Sequence, residues 1–143
     1  MIENNIKIIP EYYKTLMNLY DSKFSFYLTG SHFFGNLTKY SDLDLITTYS
    51  IEVEKYLESL GFSENNYVQN YLDDMTVKVM SKYFPNDDES YGGCWKIDVQ
   101  LVRDIENKLK VRNFLKENFS SLPKDKKQTR ILWNMVYSYL QDK

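Results

Sequence analysis

Residues 94–102 alternate with a period of two: Trp95, Ile97, Val99 and Leu101 are apolar, whereas Lys96, Asp98 and Gln100 between them are polar. Only an extended strand puts such a pattern on two faces, one against a core and one toward a polar space. A strand of this kind needs partners. Lys23–Thr29 and Asp42–Tyr49 have matching patterns, and Tyr67–Leu72 and Met75–Tyr83 are predicted as two more strands joined by a tight turn at Asp73-Asp74. Helical spacing marks Pro10–Asp21, with Pro10 in its opening turn, and Ile51–Leu60, with Ser50 as N-cap and Gly61 at its end. Two further helices, about residues 104–119 and 124–142, are separated by Ser120-Ser121-Leu122-Pro123. This order predicts an α/β (α+β) fold: a mixed sheet of about five strands with helices packed on it.

A chain of 143 residues matches one domain and can bury an ordinary core. We expect a single domain over 1–143, with a core at 1–102 and C-terminal helices at 103–143. Cys94 is the only cysteine, which excludes an internal disulfide, and we read it as a small buried residue. His32 is the only histidine, so neither a histidine metal cluster nor a Ser-His-Asp triad with a spare can be built. The N-terminus lacks a basic patch followed by an apolar stretch, and no apolar run approaches the ~20 residues that cross a bilayer. A soluble cytoplasmic protein that does not enter a membrane is therefore expected.

Thr29–Leu45 carries the chemistry. A strand ends at Gly30-Ser31, where glycine lets backbone approach a ligand and the following N–H groups with the Ser31 hydroxyl offer an anion pocket. Asp42 and Asp44 stand at i and i+2 of the next strand, so both carboxylates project from one face while Leu43 and Leu45 point to the core. Adjacent carboxylates repel unless a cation lies between them, and hard oxygen ligands beside an anion pocket suit Mg²⁺ with a phosphate substrate. If the strand of Asp98 pairs beside Asp42–Tyr49, three carboxylates converge, enough to hold two metals.

Gly30-Ser31, a spacer containing Gly35, then Ser41-Asp42-Leu43-Asp44-Leu45 and a distant Ile97-Asp98-Val99 resembles the polymerase-beta-like nucleotidyltransferase superfamily, its minimal nucleotidyltransferases in particular. The resemblance is close over 24–49 and looser over 94–102. It implies a palm-like core and transfer of a nucleoside monophosphate from a nucleoside triphosphate, ATP by family frequency, with release of pyrophosphate. It implies Gly30 and Ser31 on the triphosphate and Asp42 and Asp44 as ligands shared by two Mg²⁺ ions, which Mn²⁺ can replace. Asp98 is implied as the third carboxylate, which helps activate the acceptor hydroxyl. His32 and Phe34 stand where many minimal members carry arginine. Lys39 or Lys96 is the candidate replacement charge; Ser41 reads first as a turn cap and second as a nucleotide contact.

The acceptor is left open, with a protein or small molecule ahead of RNA. Residues 1–101 hold 8 Lys and Arg against 15 Asp and Glu, whereas 102–143 hold 10 against 5. Lys108, Lys110, Arg112, Lys116, Lys124, Lys126, Lys127 and Arg130 therefore form a candidate RNA-binding stripe. Ile131, Leu132, Met135, Val136, Tyr139 and Leu140 make a wide apolar stripe on the last helix, with Trp133 and Tyr137 toward another face; a second copy or a partner protein is expected there. The acidic run Asp87-Asp88-Glu89, in the loop 85–93 ahead of Asp98, reads as solvated. An inactive nucleotide- or partner-binding module, antitoxin-like or inhibitory, is the alternative to an enzyme.

Overall fold

The computed structural model describes residues 10–35, 42–85 and 94–142. Helix α1 (Pro10–Asp21) precedes β1 (Tyr27–Thr29), the short α2 (Ser31–Phe34), β2 (Leu43–Thr48) and α3 (Ile51–Ser59). Then come β3 (Ser63–Glu64), a 3₁₀ helix (Asn66–Tyr71), β4 (Thr76–Pro85), β5 (Cys94–Val102), α4 (Ile105–Asn118) and α5 (Lys126–Gln141). The strands form one mixed five-stranded sheet in the order β1-β2-β5-β4-β3. Only β2 and β5 run parallel; the other neighbours are antiparallel. This is the α+β architecture that the alternation and the helix spacing predict.

Local chemistry explains the helix ends. The Ser50 hydroxyl accepts from the Val53 amide at 3.0 Å, satisfying a donor at the start of α3. Asp104 and Asp125 do the same for α4 and α5, accepting from Asn107 and Lys127 at 3.2 and 2.8 Å.

Two expected strands and one expected hairpin differ in the structure, whereas Met75–Tyr83 is recovered as β4. In place of the expected strand Tyr67–Leu72 stands the 3₁₀ helix Asn66–Tyr71, because Asn65 Oδ1 accepts from the Tyr67 amide at 3.1 Å and starts a tight turn. Asp73 does not close a hairpin; its Oδ1 accepts from the Met75 amide at 3.0 Å and from Thr76 Oγ1 at 3.1 Å, turning the chain into β4. β4 pairs instead with β5 and with the short β3. β1 is confined to Tyr27–Thr29, since Ser22 Oγ bonds the Leu19 carbonyl and the Phe24 amide and holds the chain in a turn before it.

The sheet buries both faces. Leu45, Met80, Ile97, Val99 and Leu101 pack with Leu19 of α1 and with Val53 and Leu57 of α3. Across the sheet, Met75 packs with Val111 and Leu115 of α4 and Trp133 and Val136 of α5. Trp133, read as lying off the apolar stripe toward another face, is core, whereas Ile131, Met135 and Tyr139 of the expected stripe are 48–63% exposed. The cause lies beneath Trp133: the Lys108 ammonium stands 4.2 Å from its ring centroid, donates to Thr76 Oγ1 at 3.1 Å and is ion-paired with Asp73. Lys108 is itself 1% exposed, so it cannot belong to a solvent-facing stripe. Arg112 and Lys116 are tied to the neighbouring backbone at the surface, donating to the Leu28 and Phe33 carbonyls at 2.7 and 2.6 Å. Among the described residues no helix is long and apolar enough to cross a membrane.

Candidate active site

Parallel pairing of β2 with β5 sets Asp44 directly opposite Asp98. Alternation sends Leu43, Leu45, Ile97 and Val99 to the α1/α3 core, so both carboxylates emerge on the face under α4 and α5. Antiparallel pairing of β1 with β2 sets Thr29 opposite Asp44, which brings Gly30 beside that carboxylate. Gly30 has φ 66°, and a Cβ there would collide with Asp44 Oδ2 and lie 2.9 Å from its Cγ. Glycine is required on both counts.

The Gly30 carbonyl accepts from the Phe33 and Phe34 amides, each at 2.9 Å, and Gly35, at φ 89°, closes α2 on the Ser31 carbonyl. Ser31 thus opens a short helix next to the carboxylates. Helix α4 braces this corner: Arg112 and Lys116 hold its backbone, and the Arg112 guanidinium lies 4.0 Å from the Phe33 ring centroid.

Charge is concentrated here. Burial, then Asp98 and Asp42, push the Asp44 carboxyl up to about 8, and a hydrogen bond with Asp98 favours its protonated form. Asp42 is also raised, chiefly by burial, with Lys96 pulling against the rise. The Lys96 ammonium is 3.4 Å from Asp42 Oδ2 and 3.3 Å from Asp98 Oδ2. Burial alone would lower its pKa, but Asp98 and Asp42 outweigh that and hold it above the usual lysine value. One ammonium thus bridges two of the three acids, and Lys126 also draws the Asp42 pKa down.

Asp98 is held by a relay that the sequence reading missed. The buried Ser81 hydroxyl donates to Asp98 Oδ1, and Asn65 Nδ2 donates to Ser81 Oγ at 3.0 Å. The available signal was a lone serine inside the apolar run of β4, at a position that register places opposite Asp98.

The structure therefore brings Asp42, Asp44, Asp98, Gly30, Ser31 and Lys96 together. Lys39, Ser41 and Asp87-Asp88-Glu89 lie outside the described residues, as does the side chain of Cys94. A cavity of about 230 Å³ opens beside the carboxylates, lined by Asp44 and Asp98, by Tyr71 of the 3₁₀ helix and by Lys126, Arg130 and Trp133 of α5. Lys126 and Arg130 had been grouped with the other basic residues of the C-terminal helices; only the fold of α5 over the sheet singles them out.

Among the described residues no group of three or more His, Cys, Asp or Glu side chains forms a ready-made cation cage. The donor chemistry nevertheless fits a divalent cation, since Asp44 stands opposite Asp98, Asp42 shares Lys96 with Asp98, and carboxylate oxygens are the hard ligands such an ion takes.

A family model described as "Nucleotidyltransferase domain" matches residues 7–122. No curated protein and no solved structure gives a significant match.

Proposed function

The chain belongs to the nucleotidyltransferase domain family, and on that footing we propose that it moves a nucleoside monophosphate from a nucleoside triphosphate, ATP by default, to an acceptor hydroxyl. Asp42, Asp44 and Asp98 would hold Mg²⁺. Bound there, the ions supply the positive charge that a transferring phosphoryl group requires. Gly30 and Ser31 would take the triphosphate on backbone and hydroxyl groups, and Asp98 would receive the proton of the attacking hydroxyl. Such chemistry needs positioning and charge neutralisation more than many side chains.

The observation that carries this reading is the register of β2 on β5, which sets Asp44 against Asp98 beside Gly30. The test incubates the protein with each α-labelled nucleoside triphosphate and Mg²⁺, together with its co-purifying proteins and metabolites, and follows label and mass. Added mass of one nucleoside monophosphate on an acceptor is expected, and its loss in Asp44→Asn. Absence of transfer with all four triphosphates refutes the reading.

The ion pairs of Lys96 favour a second reading, in which the site is neutralised internally and binds nucleotide without turnover. In that case a chelator leaves nucleotide affinity unchanged.

A further inference from the structure

Helix α5 presents two different sides. Trp133 and Val136 are buried against Met75 and α4, and Lys126, Arg130 and Trp133 line the cavity. At about 100° per residue, Lys127, Ile131, Met135, Tyr139 and Asp142 fall within about 120° of arc on the other side. All five are exposed. The middle three are large and apolar, 48–63% exposed, and the outer two carry opposite charges. An apolar stripe with a charged rim on an outward helix face is built like a contact surface.

The order of residues along this face selects its occupant. Met135 is the midpoint: Ile131 stands four residues before it and Tyr139 four after, Lys127 eight before and Asp142 seven after. Turned end for end, the face keeps its apolar centre and exchanges its charges. A second copy laid antiparallel about a twofold axis at Met135 therefore sets Ile131 on Tyr139 and Lys127 on Asp142, each twice, as an isologous interface requires. A parallel copy would set like charges together. Neither Lys127 nor Asp142 has an ion-pair partner among the described residues. Both also stand at the wrong end of their own helix. α5 has Lys127 and no acidic residue in its first turn, and it closes at Asp142 with no basic residue in its last turn. The start of a helix favours anions and its end favours cations. Antiparallel pairing brings Lys127 to the end of the second α5 and Asp142 to its start, where both signs are favourable. Tyr139 is already held against Phe114 of α4, ring centroids 5.7 Å apart, so it loses little freedom on contact, and Met135 is a side chain that adapts to its own copy.

We infer that the outer face of α5 is a self-association surface, on which two copies of this chain pair antiparallel about Met135. The cavity lies on the opposite side of α5, so pairing covers neither copy's carboxylates and does not depend on the transfer reaction. A single helix face is small beside the ~800 Å² that each partner gives to a stable complex, so dissociation in the micromolar range is expected.

The test is sedimentation velocity at low salt, from about 1 to about 200 µM protein. Wild type is expected to pass from the mass of one chain to that of two across this range. Met135→Lys sets two ammonium groups at the axis and is expected to weaken pairing at least tenfold. Lys127→Glu is expected to weaken pairing several-fold although glutamate suits the start of its own helix better. Melting temperatures, taken at concentrations where wild type is a single chain, should therefore not fall in Lys127→Glu, which separates a lost contact from a lost fold. Lys127→Glu combined with Asp142→Lys reverses both rims and is expected to return pairing to within about twofold of wild type. Met17→Lys, on the exposed side of α1, is the control and should pair as wild type does. A wild-type chain that stays single at the highest concentration overturns the inference. Normal pairing in Met135→Lys, no recovery in the reversed double variant, or loss of pairing in Met17→Lys overturns it equally.

Discussion

The Asp44 carboxylate rests against the Cα of Gly30, in the space that any other residue's Cβ would fill. The contact ties the strand-to-helix corner to the acid pair, so one substitution tests both. Gly30→Ala places a Cβ in a backbone conformation with φ 66° and pushes Asp44 from its place opposite Asp98. Backbone strain of ~1–3 kcal/mol is expected, together with a fall in transfer rate of about 10²-fold, the scale associated with misplacing reacting groups by ~1 Å. Thermal melts and initial rates read the two effects separately. Wild-type rates in Gly30→Ala would remove Gly30 and its corner from the site.

Asp98 depends on Ser81 and Asn65 for its orientation. Ser81→Ala removes the donor to Asp98 and leaves Asn65 Nδ2 without its acceptor. Turnover is expected to fall about 10-fold, toward the low end of losses seen when a ligand's supporting hydrogen bond is removed. Asn65→Asp, which keeps the acceptor for the Tyr67 amide and loses the donor to Ser81, should add little to Ser81→Ala, since both then act through one chain of bonds. Additive losses in that cycle would show that the two residues act apart.

The acids themselves were legible in the sequence, because alternation alone puts Asp42 and Asp44 on one face and Asp98 on the polar face of its strand. Which strands lie side by side is not a local property. The parallel pairing of β2 with β5 comes from the whole sheet order, and with it the juxtaposition of Asp44 and Asp98. Tyr67–Leu72 misleads because its aromatic and branched residues favour strands while the Asn65 side chain imposes a turn. The apolar positions of α5 span more than one face, so their phase is set by Lys108 and Met75 beneath Trp133. Basic residues at surface spacing likewise gave no sign that Lys108 is buried on Asp73 or that Arg112 and Lys116 are tied to the backbone beside Gly30.

The pair of Lys108 with Asp73 is deeply buried. Burial presses the Lys108 pKa down, and the nearby Asp73 charge opposes that. Removing one member leaves the other uncompensated, which is expected to destabilise the fold by ~3–5 kcal/mol. Asp73→Leu should therefore lower the urea midpoint sharply, and Lys108→Met added to it should restore part of the loss. A midpoint unchanged in Asp73→Leu would show that Lys108 finds its partner elsewhere.

Stability of the cation-free protein should depend on pH through Asp44. Its carboxyl is pushed from 3.8 to about 8 in the folded state, so between those values the folded chain binds more protons than the unfolded one. Stability is then full below about 4 and is lost as pH rises toward about 8, the reverse of a salt-bridged aspartate. Asp42 shifts in the same direction. Melting temperatures across this range should fall in wild type and change less in Asp44→Asn. Added Mg²⁺ should stabilise wild type most at the alkaline end, where the carboxylates are charged. A wild-type profile parallel to that of Asp44→Asn would show that Asp44 titrates normally.

Lys96 bridges two of the carboxylates proposed to hold Mg²⁺, with its ammonium 3.4 Å from Asp42 and 3.3 Å from Asp98. Without a metal it relieves repulsion among the acids; with one it competes for the same oxygens. Lys96→Gln is thus expected to act in two directions. The cation-free protein should melt lower, because Asp42 and Asp98 then lose the ammonium that pairs with both. Mn²⁺, followed by electron paramagnetic resonance as a stand-in for Mg²⁺, should bind more tightly to the variant than to wild type. Weaker Mn²⁺ binding in Lys96→Gln would mean that the ammonium orients the carboxylates for the ion instead of excluding it.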